Sequence, residues 1–224
     1  MKTLALEFSS AERTAAILDV NSQGTLECLA QTCESGLTTA NAFAMIESAL
    51  SEANLQREDI EQIAVGLGPG SYTGIRASIA IAQGWSLAAK IKLQGISSAE
   101  ALIRRARREG FRGSLVIAFD AQRGEFHEAT IDLDADQSAE SPVFNQVDAD
   151  LLQAREREGI TIAGPGIARK LEAGKDLYPD AREVGLLALE RRKWIEAEKL
   201  EPVYLRETGF VKAPAPRVIP PKGD

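Results

Sequence analysis

The chain has 224 residues, of which 26 are Lys or Arg and 33 are Asp or Glu, for a formal net charge of −7. Hydrophobic residues make up 44% and charged residues 26%, which excludes global disorder and leaves ample material for a core. The acidic balance argues against a stand-alone nucleic-acid binder, and no apolar run nears the ~20 residues that span a bilayer.

In chain order, Thr3 to Phe8 and Thr14 to Val20 read as apolar strands, the second closed by the turn residues Asn21 to Gly24. Thr25 to Gln31 alternates as a half-buried strand, which makes an antiparallel meander of the three. From Thr38 to Asn54 the apolar period becomes three or four, the mark of a helix. Glu61 to Leu67 is a strand that runs into Gly68-Pro69-Gly70, and a long helix follows from about Ser71 to Lys90. Lys92 to Ile96 is a short strand. Ser97 to Glu109 is an arginine-rich helix capped by Ser97 or Ser98 and ended by Gly110.

The second half begins in the same way. Ser114 to Phe119, Glu125 to Leu133 and Val143 to Val147 read as strands, with a turn at Arg123-Gly124. A helix capped by Asp148 or Asp150 runs to Glu158. Ile160 to Ala163 is a strand into a second Gly-Pro-Gly at 164–166, followed by helices over Ile167 to Gly174 and Val184 to Ala197. This is a two-fold repeat of elements with a boundary near 110. Lys212 to Asp224 holds four prolines and reads as an extended tail.

The most informative stretch is Gly66 to Arg76. Glycines between a strand and a helix let backbone N–H groups approach an anion, and they equally serve a tight structural turn. The segment is neither a Walker A loop nor a dinucleotide fingerprint. The following helix carries no charge between Arg76 and Lys90, and Ala77, Ala80, Gly84 and Ala88 form a small-residue stripe along it. A helix apolar all round needs cover on both sides. With the 38–54 helix beside it, this predicts an exposed helical pair that dimerises. The alternative is packing of both faces within the chain.

Glu7-Phe8-Ser9-Ser10 has an acid and hydroxyls at a strand junction, as a metal-phosphate site would, but lacks a glycine, so a structural hairpin is the preferred reading. Asp120 holds the analogous position in the other half, and the two acids are expected to face an interlobe cleft. There they would suit a general base and a metal, or Asp120 would simply belong to its hairpin. His127 reads as a half-buried sheet residue, and as the sole histidine it argues against a two-histidine metal site. Arg104, Arg105, Arg107, Arg108 and Arg112 form either a surface for nucleic-acid phosphates or a solvated helix face. Cys28 and Cys33 fit no redox or disulfide pattern and read as reduced thiols.

Taken together, Gly66-Leu67-Gly68-Pro69-Gly70-Ser71-Tyr72-Thr73-Gly74-Ile75-Arg76 and Ile81-Ala82-Gln83-Gly84 resemble the signature of the TsaB (YeaZ) family of bacterial tRNA threonylcarbamoyladenosine biosynthesis proteins. Ile96-Ser97-Ser98, Asp120-Ala121-Gln122-Arg123-Gly124-Glu125 and Glu201-Pro202-Val203-Tyr204-Leu205-Arg206 resemble further family segments, so the likeness runs to about residue 206. It implies an α/β actin-like ATPase (ASKHA, ribonuclease H-like) fold of two lobes. They would be residues 1–110, carrying the dimerisation helices, and 111–206, with 207–224 as the tail. It also implies a non-catalytic, cytoplasmic scaffold that pairs with a TsaD-type catalytic subunit and a TsaE-type ATPase, and forms a homodimer when alone. The complex would transfer threonylcarbamoyl to N6 of adenosine 37 in ANN-reading tRNAs.

On this reading ATP and a divalent metal belong to the partner subunits, tRNA is met only through the complex, and no membrane is involved. No residue here is catalytic or metal-binding. The pairing surface is assigned to Phe43, Met45, Ile46, Ala49, Tyr72, Ile75, Arg76, Ile79, Ala80 and Gln83. A vestigial phosphate cleft is assigned to Glu7, Ser9, Gly68, Gly70, Ser71 and Asp120. The sequence departs from the family in having Glu7-Phe8-Ser9 for Asp-Thr-Ser and Thr38 where many members have histidine, which weakens that cleft. The alternatives are an ATP-dependent small-molecule kinase and a metalloprotease-like enzyme of the same fold.

Overall fold

Two five-stranded mixed sheets carry the molecule, and both have the same topology. A computed structural model describes residues 1–21, 23–36, 41–135 and 142–205. In the first sheet β1 (Thr3–Glu7), β2 (Glu12–Val20) and β3 (Leu26–Ser35) form the expected antiparallel meander. On its other side β1 pairs in parallel with β4 (Gln62–Gly66), and β4 pairs with β5 (Lys92–Ile96), for an order of 3-2-1-4-5. In the second sheet β6 (Ser114–Gln122), β7 (Glu125–Asp132) and β8 (Asn145–Asp148) are antiparallel, with β9 (Thr161–Gly164) and β10 (Lys175–Asp176) parallel beyond β6. The repeat read from the sequence is therefore a repeat of topology.

Side chains alternate across each strand, so β1 and β2 feed two cores. Leu4, Leu6, Phe8, Ala15 and Ile17 face α1 (Ala42–Glu52) and α2 (Tyr72–Ala88). Ala5, Ala16 and Leu18 face α5 (Ala181–Arg191). Conversely, α3 (Ser98–Arg108) buries Ala99, Leu102, Ile103 and Ala106 against Leu115, Ile117 and Phe119 of the second sheet. Each half thus lends a helix to the other's sheet, and the two lent helices pack on each other. The division at 110 separates the sheets, while α5 and the segment around Ile195, which bridges to Leu93, return to the first. The remaining helix, α4 (Ala149–Arg157), is capped by Asp148, whose carboxylate accepts the Leu151 N–H.

Several predicted elements are corrected. The helix over 167–174 is only a 3-10 turn, Ile167–Arg169, followed by β10. Seven residues between Gly166 and Gly174 are too few for a self-supporting helix, and Ile167 in the turn and Leu171 just after it reach the core. The last helix begins at Ala181 rather than Val184, because Asp180 caps it by accepting the Glu183 N–H at 2.9 Å. It ends at Arg191, where Arg192 turns left-handed. Ser97 stands at the cap of α3 but its side chain makes no capping bond. Thr38, Arg206 and the proline-rich tail lie outside the described residues, among which no helix is long and apolar enough to cross a membrane.

Candidate functional site: a filled glycine turn and an uncharged helix face

The glycine motif is closed by the chain's own atoms. The Ser9 carbonyl accepts the Ser71 N–H at 2.6 Å, and a Cβ on Gly70 would lie 2.1 Å from that carbonyl oxygen. Gly70 also has φ +149, a conformation that L side chains rarely adopt. On the other side, a Cβ on Gly66 would meet a Glu7 carboxylate oxygen at 1.9 Å. Of the two readings of these glycines, the close approach of the β1–β2 hairpin accounts for them without a ligand.

Glu7 is the hub of this packing and is wholly buried. Its Oε1 accepts the Ser9 N–H at 2.7 Å and its Oε2 accepts the Ser98 hydroxyl at 2.7 Å. Ser98 in turn accepts the Gly68 N–H at 3.0 Å. Burial pushes the Glu7 carboxyl above its ordinary value, the bonds from Ser9 and Ser98 oppose that shift, and the charge of Asp180 adds to it. The expected cleft of paired acids is not formed. Glu7 is enclosed, whereas Asp120 is exposed, with its Oδ1 accepting the Gln122 N–H at 2.7 Å and its Oδ2 lying 3.6 Å from Lys170. Asp120 is therefore a hairpin residue. His127 sits in β7 opposite Phe119, at the edge of burial, as a sheet residue should. Among the described residues no group of three His, Cys, Asp or Glu could hold a metal ion.

Three arginines of the cluster are held by the chain's own acids, while Arg107 and Arg112 make, among the described residues, only backbone hydrogen bonds, to Leu133, Arg107 and Phe111. Arg104 pairs with Glu183 (3.3 Å) and Glu190, and Arg105 with Glu12 (2.7 Å) and Glu109 (2.7 Å). Arg108 pairs with Asp180 and Glu183 (2.8 Å), both nearly enclosed. From α5, Arg191 reaches back to Glu100 at 2.7 Å. The pairs that involve Asp180, Glu183, Glu190 and Arg191 clasp α3 to α5, the two helices that join the lobes, and Arg105 also ties α3 to β2 through Glu12. Only tertiary contact could reveal this, because the acids lie some eighty residues away in sequence.

The uncharged helix α2 is the opposite case. Its inner face, Ile75, Ile79 and Ala82, is buried with Met45, Ile46 and Ala49 of α1. Five of the ten residues assigned to the pairing surface are therefore core residues, Met45, Ile46, Ala49, Ile75 and Ile79, and of these only Ile46 reaches the groove described below. Phe43, Tyr72, Arg76 and Ala80 are exposed, and Gln83 is half-buried. The chain itself engages three of these. Tyr204 stacks on Tyr72 with ring centroids 5.4 Å apart, Arg76 lies 3.8 Å over the Tyr72 ring, and Gln83 donates to the Ala197 carbonyl at 2.8 Å. What remains open is the C-terminal half of α2. There the stripe Ala80, Gly84 and Ala88 faces outward beside Leu87 (90% exposed) and Phe43 (64% exposed). Between α1 and α2 lies a groove of about 650 Å³ walled by Phe43, Ile46, Ala80, Ile81, Gly84 and Trp85, with Arg57, Glu47 and Glu58 among its lining residues. Leu87 is an exposed residue of this face that the sequence reading does not include. Its spacing of seven from Ala80 was the legible signal.

Two topologically equal mixed sheets, each opening with an antiparallel meander and flanked by helices, define the actin-like (ASKHA) class of fold. YeaZ from Pseudomonas aeruginosa superposes with a TM-score of 0.70 at 24% identity, over 91% of this chain and 99% of that one. A family model described as "TsaD: tRNA N6-adenosine threonylcarbamoyltransferase" matches residues 38–163, more than half of the chain. Two relatives are each named "tRNA threonylcarbamoyladenosine biosynthesis protein TsaB". The one from Escherichia coli is 28% identical over 75% of this chain and 80% of its own length. The one from Buchnera aphidicola is 30% identical over 65% and 75%. The chain belongs to the TsaB (YeaZ) family.

Proposed function

We propose that this protein serves tRNA threonylcarbamoyladenosine biosynthesis as a non-catalytic subunit. Its open α1/α2 face pairs with a TsaD-type catalytic subunit, and a TsaE-type ATPase joins them. The assembly transfers threonylcarbamoyl to N6 of adenosine 37 in ANN-reading tRNAs, in the cytoplasm. ATP and the divalent metal are used by the partners, and tRNA is engaged by the complex. In the absence of its partner the same face closes a homodimer.

The observation that carries this reading is the outer half of α2, with no charged residue between Arg76 and Lys90, a large exposed leucine and an apolar groove alongside. A kinase-like reading needs the first acid free for a metal or phosphate, and Glu7 already has both oxygens bonded within the chain.

The test is size exclusion with light scattering, with and without a TsaD-type protein, on wild type and Ala80→Arg. Ala80 is exposed on the groove, so arginine there is compatible with folding. Wild type is expected to pair, and the variant to lose pairing by at least tenfold in affinity while keeping its circular dichroism and Tm. Equal pairing by both proteins would remove the face from the mechanism. Failure of folded wild type to pair would remove the scaffold role.

A further inference from the structure

The first sheet carries a buried cation that nothing described in the chain neutralises. Arg13 lies on β2, and by alternation it shares a face with Ala15 and Ile17, the face covered by α1 and α2. It is only 4% exposed. One guanidinium nitrogen, Nη2, donates to the Gly36 carbonyl at 2.7 Å, and Nε is buried without a hydrogen-bond partner. Arg13 forms no ion pair with any described carboxylate. Glu34, opposite it across the strands, has its Oε1 held by Asn41 Nδ2 at 2.6 Å, and Glu12 is taken by Arg105. A guanidinium keeps its charge at any ordinary pH, and a buried charge is costly unless an opposite charge meets it.

Arg13 lines a cavity of about 90 Å³ with Phe8, Ser10, Gly36, Ser71 and Thr73. Ser71 is the cap of α2, a helix of 17 residues, and with Thr73 and Gly74 it places the positive end of that helix's dipole at this cavity, although the Ser71 and Gly74 N–H groups are themselves bonded, to Ser9 and to the Ser71 hydroxyl. A forked cation and a helix N-terminus on one small pocket form a complementary pair for an oxyanion. A cavity this small holds a few waters at most, which suits a single phosphate-sized group and not a nucleoside. This pocket is not the cleft expected from the sequence. Glu7 points to the opposite face of the same sheet, toward Ser98 and α5, and of the residues assigned to that cleft only Ser71 borders the pocket.

We infer that Arg13 and the N-terminus of α2 form a binding site for one small oxyanion, of phosphate type, on the α1/α2 face of the first sheet. The bound group would tie the 8–11 hairpin to the start of the helix whose far half carries the open apolar face. The source is either free phosphate or the terminal phosphate of a nucleotide whose remainder lies outside the pocket.

Thermal unfolding of the full chain tests this, with chloride replaced by inorganic phosphate at constant ionic strength. Wild type is expected to gain about 3–6 °C in Tm at a phosphate concentration of about ten times the Kd. Arg13→Met should lose that gain. In chloride alone it should be no less stable than wild type, since it removes an uncompensated buried charge. ATP in place of phosphate separates the sources. An Arg13-dependent gain at lower concentration assigns the terminal phosphate of a nucleotide, and a gain with phosphate only assigns the free ion. No phosphate-dependent gain in wild type, or an equal gain in Arg13→Met, overturns the site. If Arg13→Met does not fold, Arg13→Lys carries the test. It keeps the charge but not the fork and should bind phosphate at least tenfold more weakly, and equal affinity would overturn the site.

Discussion

Two helix pairs cover the first sheet and its junction with the second, and they are opposites in charge. The α3/α5 pair is dense in arginine and acid, and Arg104, Arg105, Arg108 and Arg191 are spent inside the molecule, on acids that include Asp180, Glu183, Glu190 and Glu100. In the α1/α2 pair the outer half of α2 is without charge, and there the chain leaves apolar surface uncovered. A charged helix that looks like a surface for a polyanion can thus be an internal clasp, and an uncharged helix that looks like core can be half surface. The difference lies in where the complementary groups reside. For α3 they are on a distant segment of the same chain. For the outer face of α2 none is supplied by the described residues.

The comparison breaks most visibly at Asp180. Its carboxylate is almost fully enclosed, caps α5 and receives Arg108. Asp180→Ala removes a cap and leaves part of a buried ion-pair cluster unmatched, so urea unfolding should show a loss of about 2–4 kcal/mol. A loss below about 1 kcal/mol would reduce the clasp to the rank of a surface pair.

The two helices each hold an interior glycine, and these sharpen the contrast. A Cβ on Gly185 of α5 would lie 2.1 Å from Leu18 Cδ1, whereas one on Gly84 of α2 would meet nothing within 4 Å. Gly185→Ala should cost about 1–3 kcal/mol by overpacking. Gly84→Ala should stabilise the free chain by about 0.5–1 kcal/mol, the helical preference of alanine over glycine. Opposite signs in one denaturation series are the expected result. Two losses would mean that the outer face of α2 is covered within the chain.

A pH effect belongs to Glu7, on the α5 side of the sheet. Burial raises its folded pKa above the ordinary 4.5, so the folded state holds this proton more tightly than the unfolded state. Its contribution to stability is present below the ordinary value and is lost as pH rises through the folded value. Glu7→Gln keeps the shape and does not titrate. Urea midpoints of the two proteins, measured from pH 4 upward as an approximate starting point, should diverge in favour of the variant by about 1.4 kcal/mol for each pH unit of that window, then run parallel. Parallel curves throughout would contradict a raised carboxyl.

Much of the architecture was legible because it rests on local pattern. The β-β-β-α-β order of each half, the turn at Asn21 to Gly24, the cap at Ser71 and the long glycine motif all follow from alternation, helical period and turn chemistry. The Asp180-Ala181-Arg182-Glu183 cap is equally legible in the residues and sets the start of α5 three residues before Val184. The outer part of the small-residue stripe of α2 faces outward, whereas the apolar residues of α1 at 45, 46 and 49, expected at the surface, turn to the core by helical geometry.

The sequence by itself determined which segments are strands and helices, that they repeat, and to which family the chain belongs, since these depend on neighbours within a few residues and on a long specific motif. Tertiary structure alone decided that the halves exchange helices and that the arginines of α3 meet acids of α5. It also decided that Glu7 is sealed by Ser98 and that Arg13 is buried beside the first turn of α2. Each of these joins groups far apart in sequence. The energy of a charge depends on what surrounds it in space, and composition and periodicity carry no record of that.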